Sequence, residues 1–298
     1  MNNKLLAIVF FALLGLLVAK KTILKPKTKS FKTELTNFNV DEIDKVTVQI
    51  GSEPMTTLSK SGDSWTVSDG IRDLDAKVTT VEGLIQDMSN VKTKQLVSRN
   101  SEKWADYEVD DALGKKVVLY SNGKKVVGLH VGRFNFNQQT RSGVSYARSS
   151  DEDDIYSLEG FLAMSVGKDF NSFRETNMMN FDQTEVQEVV LDTGGKQTSL
   201  SKDLDGGWVV DGIAIDSSSA ARYISGLTNL NGRDFVDGFS ETNATIHSTL
   251  TTTDNIVTTY STSDGFVIKS NKNPAYFASD SSGVFKRLIT DFLDLKSI

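Results

Sequence analysis

The sequence predicts an α+β fold. It reads as two tandem copies of a strand-rich unit, each with an antiparallel or mixed sheet and two helices, behind an N-terminal transmembrane helix. Three observations predict this. Short apolar runs of period two, separated by Gly, Asn and Asp turns, fill the chain beyond residue 36. A series of landmarks occurs twice in the same order, at an offset of 143 residues where the series begins. Leu5–Ala19 is an unbroken run of 15 apolar residues.

The N-terminal run comes first. As a helix, 15 residues span roughly 22 Å against a hydrocarbon core of about 30 Å. Snorkelling by Lys4, Lys20 and Lys21, with Ile23 and Leu24 beyond, makes up much of the difference. No small-x-small cleavage site follows the run; the nearest candidate ends Leu17-Val18-Ala19. Residues 1–24 are therefore read as an uncleaved signal anchor, with a cleaved signal peptide as the alternative. Residues 25–35 form a basic linker, 36–175 the first repeat and 176–298 the second. Lysine counting puts the C-terminal flank in the cytoplasm, but long polar domains translocate largely regardless of charge, so the residues leave orientation open.

The duplication rests on aligned residues. Phe38-Asn39-Val40-Asp41-Glu42-Ile43-Asp44-Lys45-Val46 matches the stretch opening at Phe181. Leu58-Ser59-Lys60 matches Leu200-Ser201-Lys202, and Trp65 matches Trp208. Both tryptophans read as core anchors. Each copy begins with a hairpin, turning at Gly51–Pro54 and at Thr193–Gly195. Asp75 and Asp216 then open helical stretches. Val81, Leu84, Ile85 and Met88 in one, and Ile224, Leu227 and Leu230 in the other, have the spacing of one buried helix face. Short strands at Gln95–Val97 and Asp234–Val236 come next, followed by strand hairpins around Asn122-Gly123 and Asp254-Asn255. The closing helices are predicted over Leu158–Asp169 and Ser282–Leu295.

Composition narrows the chemistry. The chain has no cysteine, which excludes disulfides, thiolate metal sites and a cysteine nucleophile. Two histidines, His130 and His247, leave little room for imidazole chemistry. His130 sits out of register with the apolar residues of its strand, so it is expected to face solvent or a neighbouring element; His247 lies among Thr and Ser. The first 32 residues hold seven of the 33 basic residues and no acid, leaving 26 against 39 acids, a net −13 for the body. An acidic body argues against nucleic acid, whose phosphates are bound by clustered Lys and Arg. No phosphate loop or nucleophile elbow occurs, no metal ligands or cofactor are assigned, and Asp151–Asp154 reads as a solvated turn.

Val189-Val190-Leu191-Asp192-Thr193-Gly194 has the form of an aspartic-protease signature, in which two aspartates share a proton. The equivalent position in the first copy is Gln49, so Asp192 is read as a hairpin-turn residue. An aspartic-protease-like hydrolase using Asp192 stays as the enzymatic alternative, and a passive spacer as the structural one.

The copies part at Gly132–Gly143, where the first carries a longer loop. Its two aromatics, two arginines and four amides suit recognition. The binding residues predicted are Arg133, Phe134, Phe136, Gln138 and Arg141, with Trp104 and Tyr107 from the extra segment Asn100–Asp111.

Several motifs resemble those of the bacterial DUF4340 domain, a family of unknown function. They are the opening stretch at Phe38, Trp104-x-x-Tyr107-x-Val109-Asp110-Asp111-Ala112, Val131-Gly132-Arg133, Asp154-Ile155-Tyr156-Ser157-Leu158 with Gly160-Phe161-Leu162, and Phe170-x-x-Phe173-Arg174. No catalytic residues come with this resemblance. It implies genomic company with ABC-type export systems and gliding-motility components. It therefore implies a single-pass inner-membrane protein with a periplasmic body, acting as a non-enzymatic binding or assembly accessory to such a complex.

Overall fold

The structure, a computed structural model, describes residues 32–297. The anchor predicted over 1–24 and most of the linker lie outside the described residues. No helix among the described residues is long and apolar enough to cross a membrane.

The fold is strand-rich α+β with antiparallel sheets. The first sheet begins with β1 (Lys45–Ile50), β2 (Thr56–Ser61), β3 (Ser64–Ser68) and β4 (Asp73–Asp75). After the helix Val78–Ser89 come β5 (Thr93–Ser98), β6 (Lys115–Ser121), β7 (Lys124–Asn137), β8 (Ser142–Ser149) and β9 (Ile155–Glu159). Their spatial order is β4-β3-β2-β1-β6-β7-β8-β9-β5. Later in the chain β10 (Asn177–Asn180) precedes β11 (Glu188–Thr193), β12 (Lys196–Lys202), β13 (Trp208–Val210) and β14 (Ile213–Ala214). After the helix Ser217–Leu227 follow β15 (Asn229–Asn231), β16 (Asp234–Phe235), β17 (Thr245–Thr252), β18 (Asn255–Thr262), β19 (Gly265–Ser270) and β20 (Asn273–Ser279). The second large sheet runs β14-β13-β12-β11-β17-β18-β19-β20-β16, and β10 pairs β15 separately. In both large sheets four strands precede a helix, and a strand beyond it returns to pair with the last one: β5 with β9 in the first, and β16, after β15, with β20 in the second.

By packing, the chain divides into two compact units. Among the described residues, one holds 32–43, Thr47–Glu53 and Leu84–Gly167; the other holds Asp44–Val46, Pro54–Gly83 and 168–297. Thus β2–β4 pack with the second unit.

Local chemistry explains the turns. Asn122 (φ 51°) with Gly123 (φ 75°), and Gly194 (φ 60°) with Gly195 (φ 83°), supply the paired positive φ of tight hairpins. Asp216 caps the second long helix by accepting from Ser219 N–H at 2.8 Å. The predicted faces are buried: Val81, Leu84, Ile85 and Met88 in the first helix, Ile224 and Leu227 in the second. Leu230, predicted on that second helix, is buried on β15 instead. Asp75 lies on β4, three residues before its helix begins. Trp65 is buried, whereas Trp208 is half-buried against the second unit's core with Lys202 over its ring.

The second unit's core gathers Leu191, Leu200, Leu250, Ile268, Phe277 and Phe292 from both strands and the closing helical run. Each fully buried side chain of this size contributes roughly 1.5–3 kcal/mol. That run, predicted over Ser282–Leu295, is helical through Asp291–Asp294, with a π turn at Lys286–Thr290. Tyr223 donates its hydroxyl to the Leu288 carbonyl at 3.0 Å and fixes the run to the second helix; burial pushes its phenol well above the usual range.

The corresponding helix predicted over Leu158–Asp169 is corrected. Leu158 and Glu159 belong to β9, and Gly160 turns the chain at φ 104°. A single turn, Leu162–Ser165, follows, and Asp169 caps another at Phe170–Phe173. A β-partner for Leu158 and a left-handed glycine leave too few residues for the predicted helix.

Candidate functional site

The segment Gly132–Gly143, predicted as a loop, is mostly strand. β6 pairs β7 only as far as Val131, opposite Lys115. After a bulge, β7 continues against β8 from Phe134↔Ser145 to Asn137↔Ser142. The cause is in the sequence: Arg133, Asn135 and Asn137 alternate with Phe134 and Phe136, the period of a strand. Asn137 closes the tip by accepting from Gln139 N–H at 2.9 Å and Thr140 N–H at 3.2 Å. Arg141 takes the left-handed region there (φ 50°). Gln138 and Arg141 are exposed at this tip.

Phe134 and Phe136 share one face of the extension. Phe161, from the turn after β9, approaches both, with ring centroids 5.6 and 6.3 Å away. Phe136 is 50% exposed and Phe161 49%, so the two rings form an open apolar patch, with Met164, also exposed, three residues beyond Phe161. A cavity of about 250 Å³ lies beside it, lined by Val91, Leu158, Phe161 and Leu162 with Asp87 and Ser165. Gly143 is required here: a Cβ would stand 2.5 Å from the Phe134 ring.

At the base of the extension Arg133 lies over Tyr107 (5.2 Å) and Tyr146 (5.3 Å), whose rings are 4.9 Å apart. Gly132 lets this segment approach, since a Cβ would lie 2.0 Å from the Tyr107 carbonyl oxygen. Asn100 starts the segment by capping Glu102 N–H, and Asp110 accepts from the N–H groups of Ala112 and Leu113.

Trp104 is not part of the open patch. Its ring covers the Arg148 guanidinium at 3.7 Å, and its indole N–H donates to the Asp153 carbonyl at 3.1 Å. Arg148 is 3% exposed, donates from Nε to the Val109 carbonyl at 2.8 Å, and forms no ion pair among the described residues. Trp104, Val109 and Arg148 thus clamp the extra segment onto the sheet. That clamp also decides between the two positions expected for His130: it faces a neighbouring element and not solvent. Both faces of β7 are covered over Val127–Gly132, leaving His130 4% exposed, with Nδ1 3.6 Å from an Asp111 carboxylate oxygen, beyond hydrogen-bonding distance. Burial, and then the Arg148 charge, lower its pKa to about 4.

Of the predicted binding residues, the structure brings Arg133 to Tyr107 and gathers Phe134 with Phe136. It leaves Gln138 and Arg141 at the tip and sets Trp104 apart. Phe161, Met164, Tyr146 and Arg148 were missed. The signal for Phe161 was the preceding Gly160, which ends the strand and presents the next side chain.

Asp192 sits at the predicted turn, accepting from Gly195 N–H at 2.9 Å and the Gln197 amide at 3.4 Å. Asp151–Asp154 makes the turn before β9. No group of three or more His, Asp or Glu among the described residues could hold a metal ion.

Within the second unit, a cavity of about 340 Å³ is bordered by Arg72, Arg174 and Asp237. Arg174, 4% exposed, stacks on Phe235 at 3.6 Å and grips Asp237 through both terminal nitrogens at 3.0 and 2.8 Å. Arg72 bridges Asp237 and Asp69. Hydrogen bonds from the Arg72 backbone and guanidinium hold Asp69 down at about 2. Both cations are matched by carboxylates, as in a structural network.

The profile of a domain of unknown function, DUF4340, matches residues 65–250. This range contains the hairpin, the Trp104 segment and Arg174. No curated protein and no solved structure matches the chain.

Proposed function

The chain belongs to the DUF4340 family, and on that premise we propose that it is a membrane-anchored, non-enzymatic envelope protein. It acts as a binding or assembly accessory of a transport or motility system and meets its partner through the β7–β8 hairpin. The apolar run Leu5–Ala19 with its flanking lysines supports the anchor, and the genomic company implied by the family, not the lysine count, supports the extracytoplasmic side. The shared strand order of the two nine-stranded sheets supports one unit written twice, over 36–175 and 176–298.

The observation that carries the proposal is the exposed aromatic patch formed where Phe136, on a hairpin that outruns its neighbouring strand β6, meets Phe161 from the turn after β9. Aromatics and arginines dominate binding hot spots, and exposed apolar patches mark interaction sites. The test places a photo-crosslinking residue at position 136 of the full-length protein in native membranes. A discrete adduct that disappears with Phe161→Ala is expected. Absence of any adduct, with export and motility unchanged by loss of the hairpin, contradicts the proposal.

A further inference from the structure

The hairpin extension has a strand partner on one side only. Beyond Val131 the β6 side of β7 is unpaired, and Arg133–Asn137 makes no backbone hydrogen bond to any described segment other than β8. In an antiparallel pair, alternate residues turn their N–H and C=O groups away from the partner. The extension therefore presents a short row of backbone donors and acceptors outward. Folded proteins usually blunt such an edge with lysine, proline or a covering element. Here the outer residues are Asn135, Phe136 and Asn137, all exposed.

The extension itself is cationic, whereas the whole chain carries −6: from Lys124 to Ser150 there is no acidic residue, and Arg133 and Arg141 are exposed at its base and tip. Lys124 and Lys125 stand at the far end of β7, where Lys125 pairs with Asp151, and Arg148 is buried under Trp104. Among the described residues, arginine ion pairs form at Arg72, Arg99 and Arg174, and Arg133 and Arg141 take part in none. The two faces of the extension differ as well: Phe134 and Phe136 meet Phe161 on one, and Arg133, Asn135 and Asn137 lie on the other.

We propose that Arg133–Asn137 accepts an extended segment of a partner protein as an added β-strand, one that alternates apolar and acidic residues. Main-chain hydrogen bonds along the open edge supply affinity. Apolar side chains of the added strand extend the Phe134–Phe136–Phe161 face, and its carboxylates meet Arg133 and Arg141. This inference rests on the hairpin being the partner contact and specifies what that partner offers.

The probe is a fluorescein-labelled decapeptide of alternating Val and Glu, with an alternating Val and Lys peptide as control, titrated onto the full-length protein in detergent. Anisotropy reads binding, and hydrogen exchange reads the backbone amides of residues 133–137. The Val–Glu peptide is expected to bind and slow exchange of those amides by about tenfold, while the Val–Lys peptide does neither. The double variant Arg133→Ala/Arg141→Ala, at exposed sites that leave the fold intact, is expected to weaken binding by about tenfold. Binding without protection at 133–137, equal binding of both peptides, or no binding at millimolar peptide overturns strand addition. If the position-136 adduct still forms in membranes after such a result, strand addition alone falls. If that adduct is also missing, the partner-contact proposal falls with it.

Discussion

The β7–β8 and β18–β19 hairpins occupy the same place in their sheets but end differently. β7 has 14 residues and outruns β6, whereas β18 has eight and turns at once into β19. At the second hairpin Phe266 stacks on Phe285 of the closing helical run, with centroids 3.7 Å apart, and His247 meets both rings edge-on. At the first, the segment beyond β9 is broken by Gly160 and reduced to two single turns, and Phe136, Phe161 and Met164 stay exposed. An aromatic pair is core where a helix covers it and surface where the helix is missing. Side-chain type alone does not separate the two; the element that follows the last strand does.

The largest difference is expected from cutting the same residue type in a covered and an uncovered setting. Phe277→Ala removes a ring with no exposure and is expected to cost about 3–5 kcal/mol, while Phe136→Ala should change stability by less than about 0.5 kcal/mol. Urea unfolding measures both; similar costs would mean that the first patch is buried. Next is the clamp. Arg148→Ala leaves the Val109 carbonyl without its donor and uncovers Trp104, at an expected cost of about 2–3 kcal/mol, with faster hydrogen exchange confined to residues 100–111.

A pH test sharpens the same region. His130 is held neutral in the fold, with its pKa lowered from 6.5 to about 4, so the unfolded chain binds the proton first as pH falls. The stability this lends is complete above pH 6.5 and is lost progressively between 6.5 and 4. From pH 7.5 to pH 5 the loss amounts to about 2 kcal/mol. His130→Gln is expected to remove that part of the pH dependence; an unchanged slope would place the effect elsewhere. The smallest effect concerns Trp208, half-buried under Lys202: Lys202→Ala should cost about 0.5 kcal/mol or less.

Much of the fold was legible in the sequence because local rules dictated it. Asn122-Gly123 and Gly194-Gly195 demand positive φ, and the 3–4 spacing of Val81, Leu84, Ile85 and Met88 finds a helix face without knowledge of its partner. The candidate site was legible only in part. The alternation of Phe134 and Phe136 is a strand signal, yet Asn and Gln around it resemble a loop. For His130 the period-two pattern left solvent and a neighbouring element open, because the segment Trp104–Asp111 that seals that face is distant in sequence. The Trp104–Arg148 contact joins residues 44 positions apart in sequence, and no local pattern encodes it. The closing helix failed at Gly160, where apolar spacing continued but the backbone turned.

Replacing Phe136–Gly143 with Asn-Gly in the full-length protein closes the first hairpin at Asn135↔Val144 with a two-residue turn like that of the second, and both unfolding and the crosslink are measured. With the patch still reported from a photo-crosslinking residue at position 161, stability should change by less than about 1 kcal/mol while the membrane adduct disappears. An adduct that persists undiminished on the shortened, folded protein would contradict the hairpin as the partner contact.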